Sequence, residues 1–149
     1  MASDSATIAE NRRARFDYDI REIFEAGIEL RGHEVKSAKS GRLQIAGGRV
    51  LIHSGEAWLS GAHIPPYQAG NTPLDYEEDR ARRLLLAKDE IRALQGALID
   101  KSVRIVPLRA YLKHGLIKLE LGLARMRRKS DKRGALKKRA HQREMRRGE

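Results

Sequence analysis

The chain has 149 residues, 31 Lys/Arg against 20 Asp/Glu for a formal net charge of +11, and no cysteine. That length is about one domain with room for a real core, and the lack of cysteine excludes a disulfide framework and a thiolate metal site. No apolar run approaches the ~20 residues of a membrane helix, and "MASDSATIAENRR" has no apolar signal core, so a soluble, cytoplasmic protein is expected.

Residues 1 to about 10 carry no periodic pattern and are expected to be flexible. "NRRAR" then places Arg12, Arg13 and Arg15 before "FDYDI", where Phe16, Tyr18 and Ile20 alternate with charge as a half-buried strand does. The extended segment continues through Ile28 and Leu30, with Gly27 expected as a bulge or bend. "GHEVKSAKSG", bracketed by Gly32 and Gly41, suits a helix of two turns. "GGRVLIHSGEAWLSGAHI" predicts a hairpin, with strands near Arg49–His53 and Glu56–His63 turning at Ser54–Gly55. "IPPYQAGNTPLDYEE" holds three of the four prolines and predicts a crossover loop.

"EEDRARRLLLAKDEIRALQGALI" predicts one long helix, because Leu84, Ala87, Ile91, Leu94 and Leu98 step by three and four along one face. Glu78 or Asp79 would serve its positive end. "KSVRIVPLRAYLKHGLIKLELGLAR" predicts a longer hairpin turning at His114–Gly115, with Ile117, Leu119, Leu121 and Leu123 sharing a face and Pro107 marking an edge, bulge or register break. About six strands, one long and one short helix give a mainly-β α+β protein, most economically a small antiparallel barrel resembling an OB-fold over residues 1–124.

The charge is concentrated beyond that unit. Residues 125–149 carry 12 Lys/Arg and 3 Asp/Glu, whereas the remaining 19 basic and 17 acidic residues nearly balance. A cationic tail suits a polyanion, since each neutralised phosphate releases a counterion. As a free helix the tail would set like charges four apart, for example at Arg128/Lys132 and Arg133/Lys137, so it is expected to be disordered alone and helical against RNA. Asp131 would cap a helix starting near Lys132.

On the predicted long helix, Leu85 lies far from the apolar stripe at about 100° per residue. An aliphatic side chain among Arg80, Arg82, Arg83 and Lys88 suits folded RNA, with its phosphates and unstacked bases, and Arg12, Arg13 and Arg15 extend the footprint. Five histidines form no spaced metal motif, and no Walker loop, G-x-S-x-G or dinucleotide fingerprint is present. The expectation is a binding protein without metal or cofactor, not an enzyme. A ribosomal or initiation-type OB-fold RNA binder is the competing reading.

With "ENRRARFDY", "EAGIELRGHEVKSAKSG", "GEAWLSGAHIPPY", "RARRLLLAKDEI", "VPLRAYLKHGLIKLELGLAR" and "SDKR" in view, the chain from about Ile8 to Met145 resembles the SsrA-binding protein family, bacterial partners of transfer-messenger RNA. The resemblance implies an OB-like barrel that binds the tRNA-like domain of that RNA. It also implies delivery to stalled ribosomes with elongation factor Tu and rescue by trans-translation. It places Glu34 and Lys36 of "EVKS", together with Leu85, on the RNA-binding face, the Glu34 carboxylate accepting hydrogen bonds from base edges or 2′-hydroxyls. It maps the functional tail motif onto Asp131, Lys132 and Arg133, with Lys137, Lys138, Arg139 and His141 following along the messenger path and decoding centre of the small subunit. A monomer is expected. Phe16, Ala87 and Ser130 depart from the residues usual in the family at those places.

Overall fold

Period-two alternation builds most of the molecule. The computed structural model describes residues 5–68, 70 and 72–127. Among them are seven strands and three short helices: β1 Ser5–Glu10, α1 Ala14–Asp17, β2 Tyr18–Ile28, α2 Gly32–Lys39, β3 Arg49–His53, β4 Glu56–Ser60, β5 Arg82–Leu85, α3 Lys88–Ala97, β6 Val103–Lys113 and β7 Leu116–Met126. The strands form one antiparallel sheet in the order β1-β6-β7-β2-β5-β4-β3.

Both expected hairpins are present, and their turns explain why. Ser54 and Gly55 have φ of 52° and 74°, and His114 and Gly115 have φ of 52° and 78°. Two successive positive φ values give the turn whose twist matches paired strands, and glycine takes the second position without a Cβ penalty. Pro107 marks a register break as expected, with a bulge between Pro107 and Arg109. Gly27 makes no bulge: it stays in register between Leu85 and Lys118, and the irregularity of β2 falls between Ile20 and Glu22.

Five expectations are corrected. Residues 5–10 are not a flexible lead but strand β1, bonded to β6 from Lys113 to Arg109. Asn11 secures its end, donating from its backbone to Leu108 and from Nδ2 to Pro107. Phe16 does not begin a strand, since one helical turn precedes Tyr18 and seats Ala14 against Val106 and Leu108.

The long helix is split. Arg82–Leu85 is a strand between β2 and β4, and helix begins only at Lys88. Arg82 and Leu84 point inward while Arg83 and Leu85 point outward, so a buried arginine disguised the alternation of a strand. Glu90, one turn into α3, accepts the Ala87 N–H at 3.0 Å and fixes the true helix start. Glu78 and Asp79 serve no helix end. They flank the His63 ring, at 2.8 Å from Nε2 and 2.5 Å from Nδ1.

The barrel is not closed. β1 and β3 are the outer strands, and no ladder among the described residues joins β3 to β6. The two come close: a Cβ built on Gly48 would lie 3.1 Å from Pro107 Cγ. Proline has no N–H to donate, however, and the bulge beside it breaks the register. Side chains of Val50, Ile52, Leu98, Val103 and Ile105 line the gap instead. One side of the sheet holds the main core, including Ile45, Leu59, Ile64, Leu84, Ile105, Leu119 and Leu121, joined by Leu94 of α3. Each such side chain contributes about 1.5–3 kcal/mol relative to exposure.

Candidate nucleic-acid interface

Two adjacent elements, α2 and β5, each present one face inward and one outward, and this sorts the residues expected to meet RNA. Glu34 is inward and 0% exposed, as is Arg82. Arg82 Nε and Nη2 donate to Glu34 Oε2 at 3.0 and 2.7 Å, and Arg80 Nη2 donates to Oε1 at 2.5 Å. The Arg31 backbone N–H donates to Oε1 at 2.8 Å, and the Tyr76 hydroxyl to Oε2 at 3.1 Å. The remaining N–H groups of Arg82 reach the carbonyls of Ala62 and Glu78.

Burial alone would raise the Glu34 carboxyl. Hydrogen bonds from Arg80, Arg31 and Arg82, with the charge of Arg82, outweigh it and bring the group down to about 2. Burial and the Glu34 charge together push the Tyr76 hydroxyl up. The carboxylate expected to accept from RNA bases is therefore spent inside the protein, and the Arg82 guanidinium is equally unavailable. Both groups stand in the core rather than at the surface expected of them. The physical reason is that an ionised pair of this size is tolerated in a core only when nearly every donor and acceptor is satisfied, as here.

Leu85 lies on the other face. It is 48% exposed, on a strand rather than a helix, so its expected exposure is correct and the wheel that suggested it is not. Its cross-strand neighbour is Gly27, where a Cβ would stand 3.3 Å from Leu85 Cβ. The missing side chain leaves a shallow groove beside Leu85, walled by Leu30 and Val35 and, across β2, by Leu116 and Lys118. Leu116 is 61% exposed. Lys36 follows Val35 on the exposed side of α2.

The outward row runs on in register. Gly27 pairs with Lys118, Lys118 with Tyr111, and Glu120 with Arg109. The Arg109 guanidinium lies 4.3 Å from the Tyr111 ring centroid and 3.2 Å from Glu120. Tyr111 also donates to Glu25, which holds that carboxyl below its ordinary range, while burial and the same bond push the Tyr111 hydroxyl up. At this end Arg12 and Arg15 flank a depression with Asn11, Leu108 and Arg109. Arg13 is held over the Phe16 ring at 5.0 Å and pairs with Asp17 at 3.6 Å.

Apart from the buried Glu34 and Arg82, the expected residues among those described are spread over the surface. Leu85 lines the groove, Lys36 is exposed on α2 next in sequence to its wall residue Val35, and Arg80 and Arg83 border a second hollow that shares Leu30 with it. Arg13 and Arg15 sit at the far end of the sheet face, and Lys88 is exposed at the start of α3. Asp131, Lys132, Arg133, Lys137, Lys138, Arg139 and His141 lie outside the described residues. Lys118 was missed, although it is legible: Ile117 and Leu119 point inward, so the lysine between them must point out. Among the described residues no group of three or more His, Asp or Glu side chains is placed to hold a metal ion, and no helix is long and apolar enough to cross a membrane.

Comparison with known proteins agrees with this sheet. A family model described as SmpB protein matches residues 8–149. An SsrA-binding protein of Thermosynechococcus vestitus is 44% identical over 99% of this chain and 97% of its own length. One from Leuconostoc mesenteroides is 48% identical over 93% and 89%. A solved structure, "tmRNA-SmpB: a journey to the center of the bacterial ribosome", contains a chain 41% identical that superposes with a TM-score of 0.67, covering 85% of this chain and 92% of that one. This chain belongs to the SmpB protein family.

Proposed function

We infer that this chain is an SsrA-binding protein, a non-enzymatic RNA binder that acts with transfer-messenger RNA on the ribosome in trans-translation. Family membership over nearly the whole length supports the activity. The observation that carries the site is the half-exposed Leu85 laid across a glycine, with Lys118 in the same groove. Aliphatic surface beside cations meets the ribose and base faces of a folded RNA while the ammonium groups hold its phosphates.

On this reading the outer face, with Leu85, Lys36, Arg80, Arg83 and Lys118, grips the tRNA-like domain, and Arg13 and Arg15 follow its backbone at the far end. Lys88 adds a phosphate contact. Glu34 and Arg82 act through position, fixing α2 against β5 so that Val35, Lys36 and Leu85 share one surface. The cationic residues 128–149 engage small-subunit ribosomal RNA along the messenger path and decoding centre, with elongation factor Tu accompanying delivery of a cytoplasmic monomer.

The test separates the two surfaces. Leu85→Asp should weaken binding to the tRNA-like domain about ten-fold or more in a gel shift, as expected for losing a buried aliphatic contact and adding a like charge to phosphate. Removal of residues 128–149 should leave that binding largely intact and abolish tagging of stalled chains. Wild-type affinity in Leu85→Asp, or equal loss of both activities on truncation, would refute the arrangement.

A further inference from the structure

The second hollow, of about 250 Å³, opens beside Leu30 and is bordered by Glu29, Leu30, Arg31, Trp58, Arg80 and Arg83. Its composition departs from the rest of the surface: three guanidinium groups, one carboxylate and the single tryptophan of the chain converge there. Their placement follows from the sheet. Ala57 and Leu59 of β4 point into the core, so Trp58 between them points out, directly opposite Arg83 of β5. Opposed residues on one face lie about 4.5–5.5 Å apart at Cβ, so indole and guanidinium flank one space.

The cations are held by partners that leave their outer sides free. Arg80 is anchored from behind by Glu34, at 2.5 Å, and remains a quarter exposed. Arg83 lies loosely between Glu56 at 3.5 Å and Glu29 at 3.9 Å. Glu29 keeps more than half its side chain exposed, so its carboxylate has acceptor capacity to spare. Trp58 Nε1 is covered and has no hydrogen-bond partner among the described residues, an unmet donor unusual in a folded protein.

We propose that this hollow receives one unstacked guanine nucleotide of the bound RNA. The base lies against Trp58 and the Arg83 plane, Arg31 and Arg80 take its phosphates, and Glu29 accepts from N1–H and the 2-amino group on its Watson–Crick edge. A carboxylate has two adjacent acceptors, and guanine alone among the four bases offers two adjacent donors on that edge. Adenine, cytosine and uracil each present an acceptor there, which Glu29 would repel. Stacking on an aromatic ring or on an arginine plane, with edge hydrogen bonds, is how proteins read unstacked RNA bases. This site rests on the RNA-binding reading above and adds a nucleotide preference to it.

Because Trp58 is the only tryptophan, its fluorescence reports on this hollow alone. Titration of the full chain with guanosine 5′-monophosphate should quench it at lower concentration than the adenosine, cytidine or uridine monophosphates. Glu29→Gln should erase that preference. In a gel shift with the tRNA-like domain, Trp58→Ala should weaken binding roughly ten-fold, the scale of one lost stacked base. Circular dichroism would check that the sheet persists in this variant, and Trp58→Phe, which keeps an aromatic face, should recover most of the affinity. Equal quenching by all four nucleotides would overturn the guanine assignment. If Leu85→Asp weakens RNA binding while Trp58→Ala does not, the hollow is not a subsite although the outer face is one. If wild-type protein does not prefer the tRNA-like domain over random RNA of equal length, the RNA reading itself fails.

Discussion

The inside and the outside of α2 and β5 solve opposite problems with neighbouring residues. Inside, Glu34 and Arg82 hold full charges at 0% exposure because six hydrogen bonds of 2.5–3.1 Å converge on one carboxylate. Outside, one residue from Glu34 and three from Arg82, Val35 and Leu85 leave apolar surface open to water. The difference teaches that within these two elements a carboxylate and an arginine build the core while a leucine stays at the surface, the reverse of the usual first guess. It also makes the two faces separable, since damage to the inside should read out as stability and damage to the outside as affinity.

The largest effect that would break or confirm this contrast is on the inside. Glu34→Gln strands the Arg82 guanidinium in the core, and removing one partner of a buried pair costs about 3–5 kcal/mol. Urea unfolding should show that loss, whereas a variant of unchanged stability would mean that the cluster carries no structural weight. The joint change Glu34→Gln with Arg82→Met should cost less than the two single changes added together, because no charge is then left unpaired.

Acid sharpens the same point. The Glu34 carboxyl ionises at about 2 in the folded protein against an ordinary 4.5, so the unfolded chain takes up its proton first as pH falls. The stabilisation is complete above about 4.5 and is lost progressively toward about 2. Glu34→Gln should flatten the stability profile across that window. If both proteins decline in parallel, Glu34 is not the group responsible.

The outer face should respond more gently. Lys118→Ala should leave the melting temperature unchanged, weaken binding to the tRNA-like domain a few-fold, and reduce the salt slope by about one. An unaltered slope would place Lys118 away from phosphate. The smallest change expected is Gly27→Ala, which must displace Leu85 by a few tenths of an ångström in a backbone conformation that tolerates alanine. RNA affinity should fall slightly while stability holds; a gain in affinity would show that the groove gains from being filled.

Much of the fold was legible because its hairpins obey period two apart from the break that Pro107 itself announces. Leu116–Met126 places Ile117, Leu119 and Leu121 inward, and glycine closes both turns. β5 was not legible, since Arg82 occupies the position where alternation demands an apolar residue, and its partner Glu34 stands 48 residues away. No local pattern connects those two. The same long-range pairing explains why Glu34 reads as a surface carboxylate in sequence, although Leu85 was correctly singled out as exposed from an incorrect helix. β1 was hidden for a simpler reason: "SATIAE" has one large apolar residue, and the strand exists because β6 offers it an unpaired edge.

The last described residue carries a mechanical consequence. Arg127 donates its backbone N–H to Asp17 at 3.0 Å and its Nε to Tyr18 at 3.3 Å, which pins the exit of β7 to the helical turn at the opposite end of the chain. The end of β7 is thus a fixed post, and the orientation the sheet adopts on a ligand also sets the bearing of Arg127. Loss of the Arg127 side chain would remove one of these two ties and turn the post into a slack joint.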